Sequence, residues 1–160
     1  MIEADRIKIQ AISLQDIARF SEYRDKEEVA EYQSWDEYPI EKAKQRITYC
    51  IKHPFHGKRG NYQLGIYLKD ENYLIGDLFI EIDGHTTFTL GYTLDSLYWS
   101  KGYASEALEA ILQYMYNIIL RFVYVMSMKI MIAQLNYLQD MVLIEYINHG
   151  FIKMSYIEKC

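Results

Sequence analysis

The chain has 160 residues, 51% of them hydrophobic and 24% charged, with a formal net charge of −5 at pH 7. That length suits one domain with a core that needs no staples, and the composition is that of a soluble globular protein. The mild acidity leaves no footprint for nucleic acid, no apolar run reaches membrane-spanning length, and Cys50 and Cys160 make neither a disulfide framework nor a metal centre. Without a signal peptide, the expected location is the cytoplasm.

Arg6 to Ile12 alternates polar residues with Ile7, Ile9 and Ala11, the period of a half-buried strand. Ser13-Leu-Gln-Asp16 has the spacing of a capping start for a helix that carries Leu14, Ile17, Ala18 and Phe20 inward. A short helix from Lys26 to Tyr32 follows. Pro39 then closes the turn before an amphipathic helix from Glu41 to Lys52, with Ala43, Ile47 and Ile51 on one side. His53-Pro-Phe-His-Gly-Lys-Arg-Gly60 is a loop by its Pro and Gly content. His53 and His56 in it have a metal-ligand spacing without a third ligand, so no metal is assigned.

Tyr62 to Leu68 and Tyr73 to Ile82 flank the polar turn Lys69-Asp-Glu-Asn72 and form a hairpin. Gly76 marks either a bulge or a close backbone contact. Asp83-Gly84 is a two-residue turn into a strand that starts at Thr86 and runs to Leu94. From Ala104 onward, Ala107, Leu108, Ile111, Leu112 and Met115 form one apolar helical face, with Glu106, Glu109 and Gln113 off it.

Between this strand and helix lies Trp99-Ser-Lys-Gly-Tyr-Ala104. The first N–H groups of a helix lack intrahelical partners and carry the positive end of the macrodipole, so such a junction can hold a phosphate. Gly102 permits close backbone approach, Lys101 adds a cation, and Ser100 and Ser105 add hydroxyl donors. The alternative is an ordinary strand-to-helix turn with a solvated lysine.

The longer string Leu90-Gly-Tyr-Thr-Leu-Asp-Ser-Leu-Tyr-Trp-Ser-Lys-Gly-Tyr-Ala-Ser-Glu-Ala107 resembles the acetyl-CoA-binding motif of the GNAT superfamily. Within it, the ribosomal-protein alanine and serine N-acetyltransferases and their small-molecule relatives look most alike. The resemblance covers residues 1–116. It implies an α/β acyl-CoA N-acyltransferase (GNAT) fold in a single domain of residues 1–160: a mixed, mostly antiparallel sheet with helices on both faces. It also implies that the strand before the loop, at Tyr92 and Leu94, hydrogen-bonds the pantetheine arm of acetyl-CoA. The loop and helix start, Trp99, Ser100, Lys101, Gly102, Tyr103, Ala104 and Ser105, would hold the pyrophosphate. Trp99 departs from the family's Gln or Arg, and Ser100 replaces a frequent glycine; the loop binds mostly through its backbone.

Val29-Ala-Glu-Tyr-Gln-Ser-Trp35 looks like the family segment that lines the acceptor pocket. Trp35 is therefore either an acceptor-site residue or an aromatic packed on the core. Thr89 stands where many relatives place a glutamate base. Glu81 and Asp83 are near in sequence but suit a solubilising strand edge equally, so no catalytic residue is assigned. The implied activity is acetyl transfer from acetyl-CoA to a primary amine, on a protein N-terminus or a small molecule. A non-catalytic acyl-CoA-binding or interaction domain is the alternative. The expected partners are acetyl-CoA and the amine acceptor, with neither nucleic acid nor membrane, in a monomer or a homodimer.

From about residue 117 the chain departs from the family, which continues with Asn-x-x-Ser-x-x-Leu-Leu-x-x-x-Gly-Phe. Read one base out of frame, Asn136–Tyr137 must spell Leu, Met141–Val142 must spell Gly, and Met128–Lys129 must spell Glu. With allowed codons elsewhere, Val125 to Leu143 spells Asn-Val-Asp-Glu-Asp-Asn-Asp-Cys-Ser-Ile-Lys-Leu-Leu-Ala-Arg-Tyr-Gly-Phe, which contains the missing motif. The expectation is a change of reading frame between Tyr116 and Val125. The in-frame alternative has Arg121 to Gln134 as strand and Tyr137 to His149 as helix. The nucleotides of codons 115–145 check this, since third bases that cannot spell the Asn, Ser and Leu-Leu exclude the frame change.

Overall fold

The computed structural model describes residues 1–83, 87–127, 142–147 and 151–156. A two-residue strand β1 (Ile2–Glu3) precedes β2 (Ile7–Ala11). A 3-10 turn at Leu14–Asp16 leads into α1 (Ile17–Arg24), followed by α2 (Glu27–Ala30) and α3 (Ile40–Lys52). Then come β3 (Gly60–Leu68), β4 (Leu74–Ile82), β5 (Thr87–Leu94), a second 3-10 turn at Ser96–Tyr98, and α4 (Tyr103–Ser127). The strands β6 (Val142–Ile147) and β7 (Phe151–Tyr156) complete the described chain. The sheet runs β1-β2-β3-β4-β5-β7-β6.

This is the expected α/β architecture, with the hairpin and the strand-loop-helix unit where the sequence puts them. Every pairing between the described strands is antiparallel, so the parallel part of the expected mixed sheet is not among them. The Asp83-Gly84 turn lies outside the described residues.

Helices cover both faces because the strands alternate. Ile7, Ile9, Ile66, Leu78, Ile80 and Leu90 point to one face and pack with Ala107, Ile111 and Met115 of α4. On the other face Tyr67 and Leu74 meet Phe20 and Tyr23 of α1 and Ala43 and Ile47 of α3. Each large side chain buried this way contributes about 1.5–3 kcal/mol. The pairing shifts register between Ile66 and Tyr67, opposite Gly76 and Leu74, so Ile75 is the extra residue of a bulge. That residue reverses the parity of β4 and sends Ile75 and Leu74 into different clusters. Gly76 makes the close contact as well. A Cβ there would lie 2.4 Å from the Thr93 carbonyl oxygen and 2.9 Å from Leu94 Cδ1.

Four local expectations are corrected by packing. Leu14 is exposed, because Ser13 and Asp16 start a 3-10 turn on the surface: the Ser13 N–H and Oγ–H donate to Asp16 Oδ2 at 2.8 and 2.7 Å. Ala18 also faces outward, and α1 buries Phe20, Tyr23 and Arg24 instead. Ile51 is exposed because the last turn of α3 runs past the core that Ala43 and Ile47 enter. In the tail, Arg121 to Ser127 continues α4 and Val142 to Ile147 is strand, opposite to the in-frame expectation for both segments. The remainder of those segments lies outside the described residues.

Beneath α1 and α3 sits a buried polar network. Asp77 of β4 accepts from Tyr23 Oη at 2.5 Å and from Gln63 Nε2, whose Oε1 in turn accepts from Arg46 Nε. Burial and the Asp77 carboxylate push the Tyr23 phenol well above its usual range. Arg24 Nη1 lies 3.4 Å from Asp77 Oδ1, and its guanidinium sits over the rings of Trp35, Phe20 and Tyr38 at 4.2, 4.6 and 4.7 Å. A buried charge is tolerated only when paired, and aromatic faces add to the pairing.

A second buried carboxylate locks the helices to the end of β5. Asp95 is fully buried, and its N–H donates to the Ile75 carbonyl at 2.9 Å. Its side chain accepts from Arg19 Nη2 of α1, from Lys26 Nζ at 2.6 Å, and from the Leu97 N–H at 3.2 Å. Burial disfavours its charge, yet the hydrogen bonds from Lys26 and Arg19 hold its carboxyl below the usual carboxylate range.

Two outcomes follow for stability in urea unfolding. Gly76→Ala is expected to cost about 1–3 kcal/mol by overpacking, since the contact it meets is backbone. Asp95→Ala strands two cations and is expected to cost about 3–5 kcal/mol at neutral pH. Because the folded Asp95 carboxyl titrates below its unfolded value of about 3.9, its contribution is complete above that pH and declines as pH falls through the folded value. Asp95→Asn should therefore show a shallower acid-induced loss of stability than the parent.

Candidate active site

β5 is paired unequally along its two sides. Among the described residues, its pairing with β4 extends to Leu94 and its pairing with β7 runs from Thr87 to Gly91. Tyr92 to Leu94 therefore have a strand neighbour on one side only among the described residues. A cleft of about 420 Å³ lies at this open edge. Tyr92 and Leu94 of β5, Val29, Tyr32 and Gln33 from α2 and its end, and the turn into α4 from Tyr98 to Ser105, apart from Lys101, line it.

Backbone polar groups on an unpaired strand edge need partners. The Leu94 carbonyl accepts from Trp99 Nε1 at 2.7 Å, and the Tyr92 carbonyl has Gln33 Nε2 at 3.5 Å. The Trp99 ring stands edge-on to Tyr32 at 5.9 Å, so aromatic side chains from the loop and from the end of α2 meet at the cleft.

The loop turns sharply into α4. Ser100 has φ +59° and Gly102 φ +83°, both in the left-handed region that costs a residue with a Cβ and is natural for glycine. The Glu106 N–H closes the first helical bond on the Gly102 carbonyl at 3.0 Å, which leaves the N–H groups of Tyr103, Ala104 and Ser105 without intrahelical partners. All three residues line the cleft. Asp95 steadies the approach to this turn by accepting from the Leu97 N–H, while Ser96 Oγ donates to Glu28 Oε1 at 2.9 Å. Burial raises the Tyr98 phenol above its usual range.

The cleft thus gathers Tyr92, Leu94, Trp99, Ser100, Gly102, Tyr103, Ala104 and Ser105. It does not gather Lys101, whose Nζ donates back to the Leu97 carbonyl at 2.8 Å and lies 5.5 Å from the Tyr98 ring centroid. Nor does it gather Trp35, whose Nε1 donates to the Arg24 carbonyl at 3.0 Å and whose ring packs edge-on against Tyr38 at 5.0 Å. The Val29–Trp35 segment reaches the cleft through Val29, Tyr32 and Gln33 instead. Glu81, Asp83 and Thr89 are outside the lining; Glu81 and Thr89 sit opposite each other across β4 and β5.

His53 and His56 serve separate local contacts. His53 stacks on Tyr49 and bonds its carbonyl at 2.9 Å, and His56 contacts Tyr62 Oη at 3.2 Å. Among the described residues, no group of three or more His, Cys, Asp or Glu could hold a metal ion, and no helix is long and apolar enough to cross a membrane. Sequence reading passed over Tyr98 and Arg6 at this site. Tyr98 lay inside the quoted motif, but nothing local distinguishes a cleft-lining tyrosine among the sixteen in the chain.

The arrangement offers an extended backbone edge beside a helix N-terminus with unpaired donors, walled by aromatics. That combination suits a ligand with an amide-bearing extended arm attached to an anion.

Over 50 residues, 31% of this chain, the sequence is 44% identical to the uncharacterized N-acetyltransferase YnaD of Bacillus subtilis; the chain spans 29% of that curated relative's length. Among solved structures, a GNAT-family acetyltransferase from Bacillus anthracis superposes with a TM-score of 0.62 at 26% identity, over 72% of this chain and 66% of that one. A candidate ribosomal-protein-serine acetyltransferase from Vibrio cholerae shares the fold over 98% of this chain and 97% of its own, with a TM-score of 0.65 at 16% identity. The family model described as the acetyltransferase (GNAT) domain matches residues 6–135, most of the chain and all of the strand-loop-helix unit around the cleft, and the chain therefore belongs to the GNAT acetyltransferase family.

Proposed function

We propose that the chain is an N-acetyltransferase that moves the acetyl group of acetyl-CoA to a primary amine, on a protein N-terminus or a small molecule. The observation that carries this reading is the cleft itself, where the open edge of β5 meets the unpaired N–H groups at the start of α4. Family membership supports acetyl-CoA as the ligand for it. In this reading Tyr92 and Leu94 pair with the pantetheine arm. The turn from Ser100 to Ser105 takes the pyrophosphate through its backbone in the same reading.

In this reading the amine nitrogen attacks the thioester carbonyl carbon. An N–H on the open edge of β5 polarises the carbonyl oxygen, where negative charge develops in the transition state. The carbon–sulfur bond then breaks, CoA leaves as its thiolate and takes up a proton, and the amine proton passes to a base through water. The acceptor enters past Val29, Tyr32 and Gln33, which form the wall facing the loop. Leu94 must exchange its bond from Trp99 for one to the arm, so Trp99 reports on occupancy.

Equilibrium titration with acetyl-CoA, beside a Gly102→Glu variant, tests the reading. The positive φ of Gly102 strains any side chain, and a carboxylate there competes for the donors that the phosphates need. The expected result is saturable binding by the parent chain and a loss of more than about tenfold in the variant. Release of free thiol with an amine panel then distinguishes an enzyme from a domain that only binds acyl-CoA. A folded parent chain that binds no acetyl-CoA would sink the proposal.

A further inference from the structure

Arg6 lies just before β2, 100 residues ahead of Glu106, yet its side chain and backbone grip the start of α4. Its N–H donates to Glu106 Oε1 at 2.7 Å, its Nε donates to Oε2 at 2.8 Å, and its Nη2 lies 2.7 Å from Oε2. Its Nη1 donates to the Lys101 carbonyl at 3.0 Å. The guanidinium carbon also stands 4.4 Å from the centroid of the Tyr103 ring. One residue therefore holds both the loop and the first turn of the helix.

Each contact bears on how that turn meets an anion. Glu106 is a carboxylate in the first turn of α4, where the free N–H groups and the macrodipole attract negative charge. Unpaired, it would compete with an incoming phosphate. Both of its oxygens are occupied by Arg6, and its charge is neutralised. The Lys101 carbonyl acts through geometry. A trans peptide is planar, with its C=O and the following N–H pointing opposite ways. Fixing the Lys101 carbonyl on Arg6 therefore turns the Gly102 N–H away from Arg6, and Gly102 lines the cleft while Arg6 does not. A Cβ on Gly102 would lie 3.4 Å from Arg6 Nη2, so the arginine covers the side of the loop to which a larger residue would extend.

We propose that Arg6 is a positioning residue for pyrophosphate binding, which removes Glu106 as a competitor and aims the Gly102 N–H into the cleft without touching the ligand. This rests on the reading that the turn holds the pyrophosphate of acetyl-CoA.

The test compares acetyl-CoA with S-acetyl-pantetheine, which lacks the phosphates, by tryptophan fluorescence titration of the full chain. Arg6→Ala is expected to weaken acetyl-CoA about tenfold and to leave S-acetyl-pantetheine unchanged. Adding Glu106→Gln to Arg6→Ala removes the freed charge and should recover part of the lost affinity. Arg6→Lys keeps the charge but lacks the fork that reaches Glu106 and Lys101 together, so it should show the same selective loss in smaller measure, and it serves if the alanine variant does not fold. Equal losses for both ligands, or no loss for acetyl-CoA, would overturn the positioning role. A double variant that binds no more tightly than Arg6→Ala would overturn the competition by Glu106. If the unaltered chain itself fails to bind acetyl-CoA, the reading of the cleft fails instead, and the two failures are told apart.

Discussion

The architecture around the site depends on how β5 is paired: among the described residues, its partner β4 runs along it to Leu94, and its partner β7 as far as Gly91. A strand edge in a protein interior must satisfy its N–H and C=O groups, and an unpaired stretch is a standing demand for partners. Here the demand at Tyr92 and Leu94 is met in part by Gln33 and Trp99, side chains from opposite walls of the cleft. Side chains can be exchanged for a ligand at far smaller cost than a neighbouring strand could be. The same end of β5 leads through one 3-10 turn to the start of α4, so two sets of unsatisfied backbone groups face one cavity.

Holding that arrangement open requires the helices on the other face to stay in place, and two buried carboxylates do this. Asp95 binds α1 through Arg19 and the entry to α2 through Lys26, at the residue where β5 ends. Asp77 of β4, bonded to Gln63 on the neighbouring strand β3 and to Tyr23 of α1, fastens α1 to the middle of the sheet. Paired charges of this kind add little net stability compared with an apolar core of the same shape. What they supply is direction: apolar contacts between α1 and the sheet would tolerate sliding, whereas a carboxylate with fixed donors does not. The wall made by Val29, Tyr32 and Gln33 is thereby held beside Trp99, whose ring meets Tyr32 edge-on.

Legibility from sequence varied with the range of the interaction. The apolar face of α4 was readable because Ala107, Ile111 and Met115 recur at helical spacing, and the same three residues enter the core. The hairpin about Lys69–Asn72 and the glycine turn at Gly102 were readable because turn chemistry is local. Leu14 and Ile51 were misread because an apolar residue near a helix end carries the period of the helix whether or not the helix still lies over the sheet. For Trp35 both readings were open, and here the ring lies beside Arg24 and Tyr38, away from the cleft. Lys101 had the charge suited to a phosphate, but its flexible stem brings the ammonium back to the Leu97 carbonyl.

By itself the sequence determined the elements as far as the first turns of α4, their order and the strand-loop-helix motif that carries the family, because periodicity, capping and backbone freedom act over a few residues. Tertiary structure alone decided which groups meet at the cleft. Arg6 reaches the start of α4, Arg19 reaches Asp95, and Gln33 reaches Tyr92, across 95 to 100, 76 and 59 residues of chain respectively. Contacts at such separations leave no periodic trace, since they arise only when the sheet has folded and brings its edges and helix ends together.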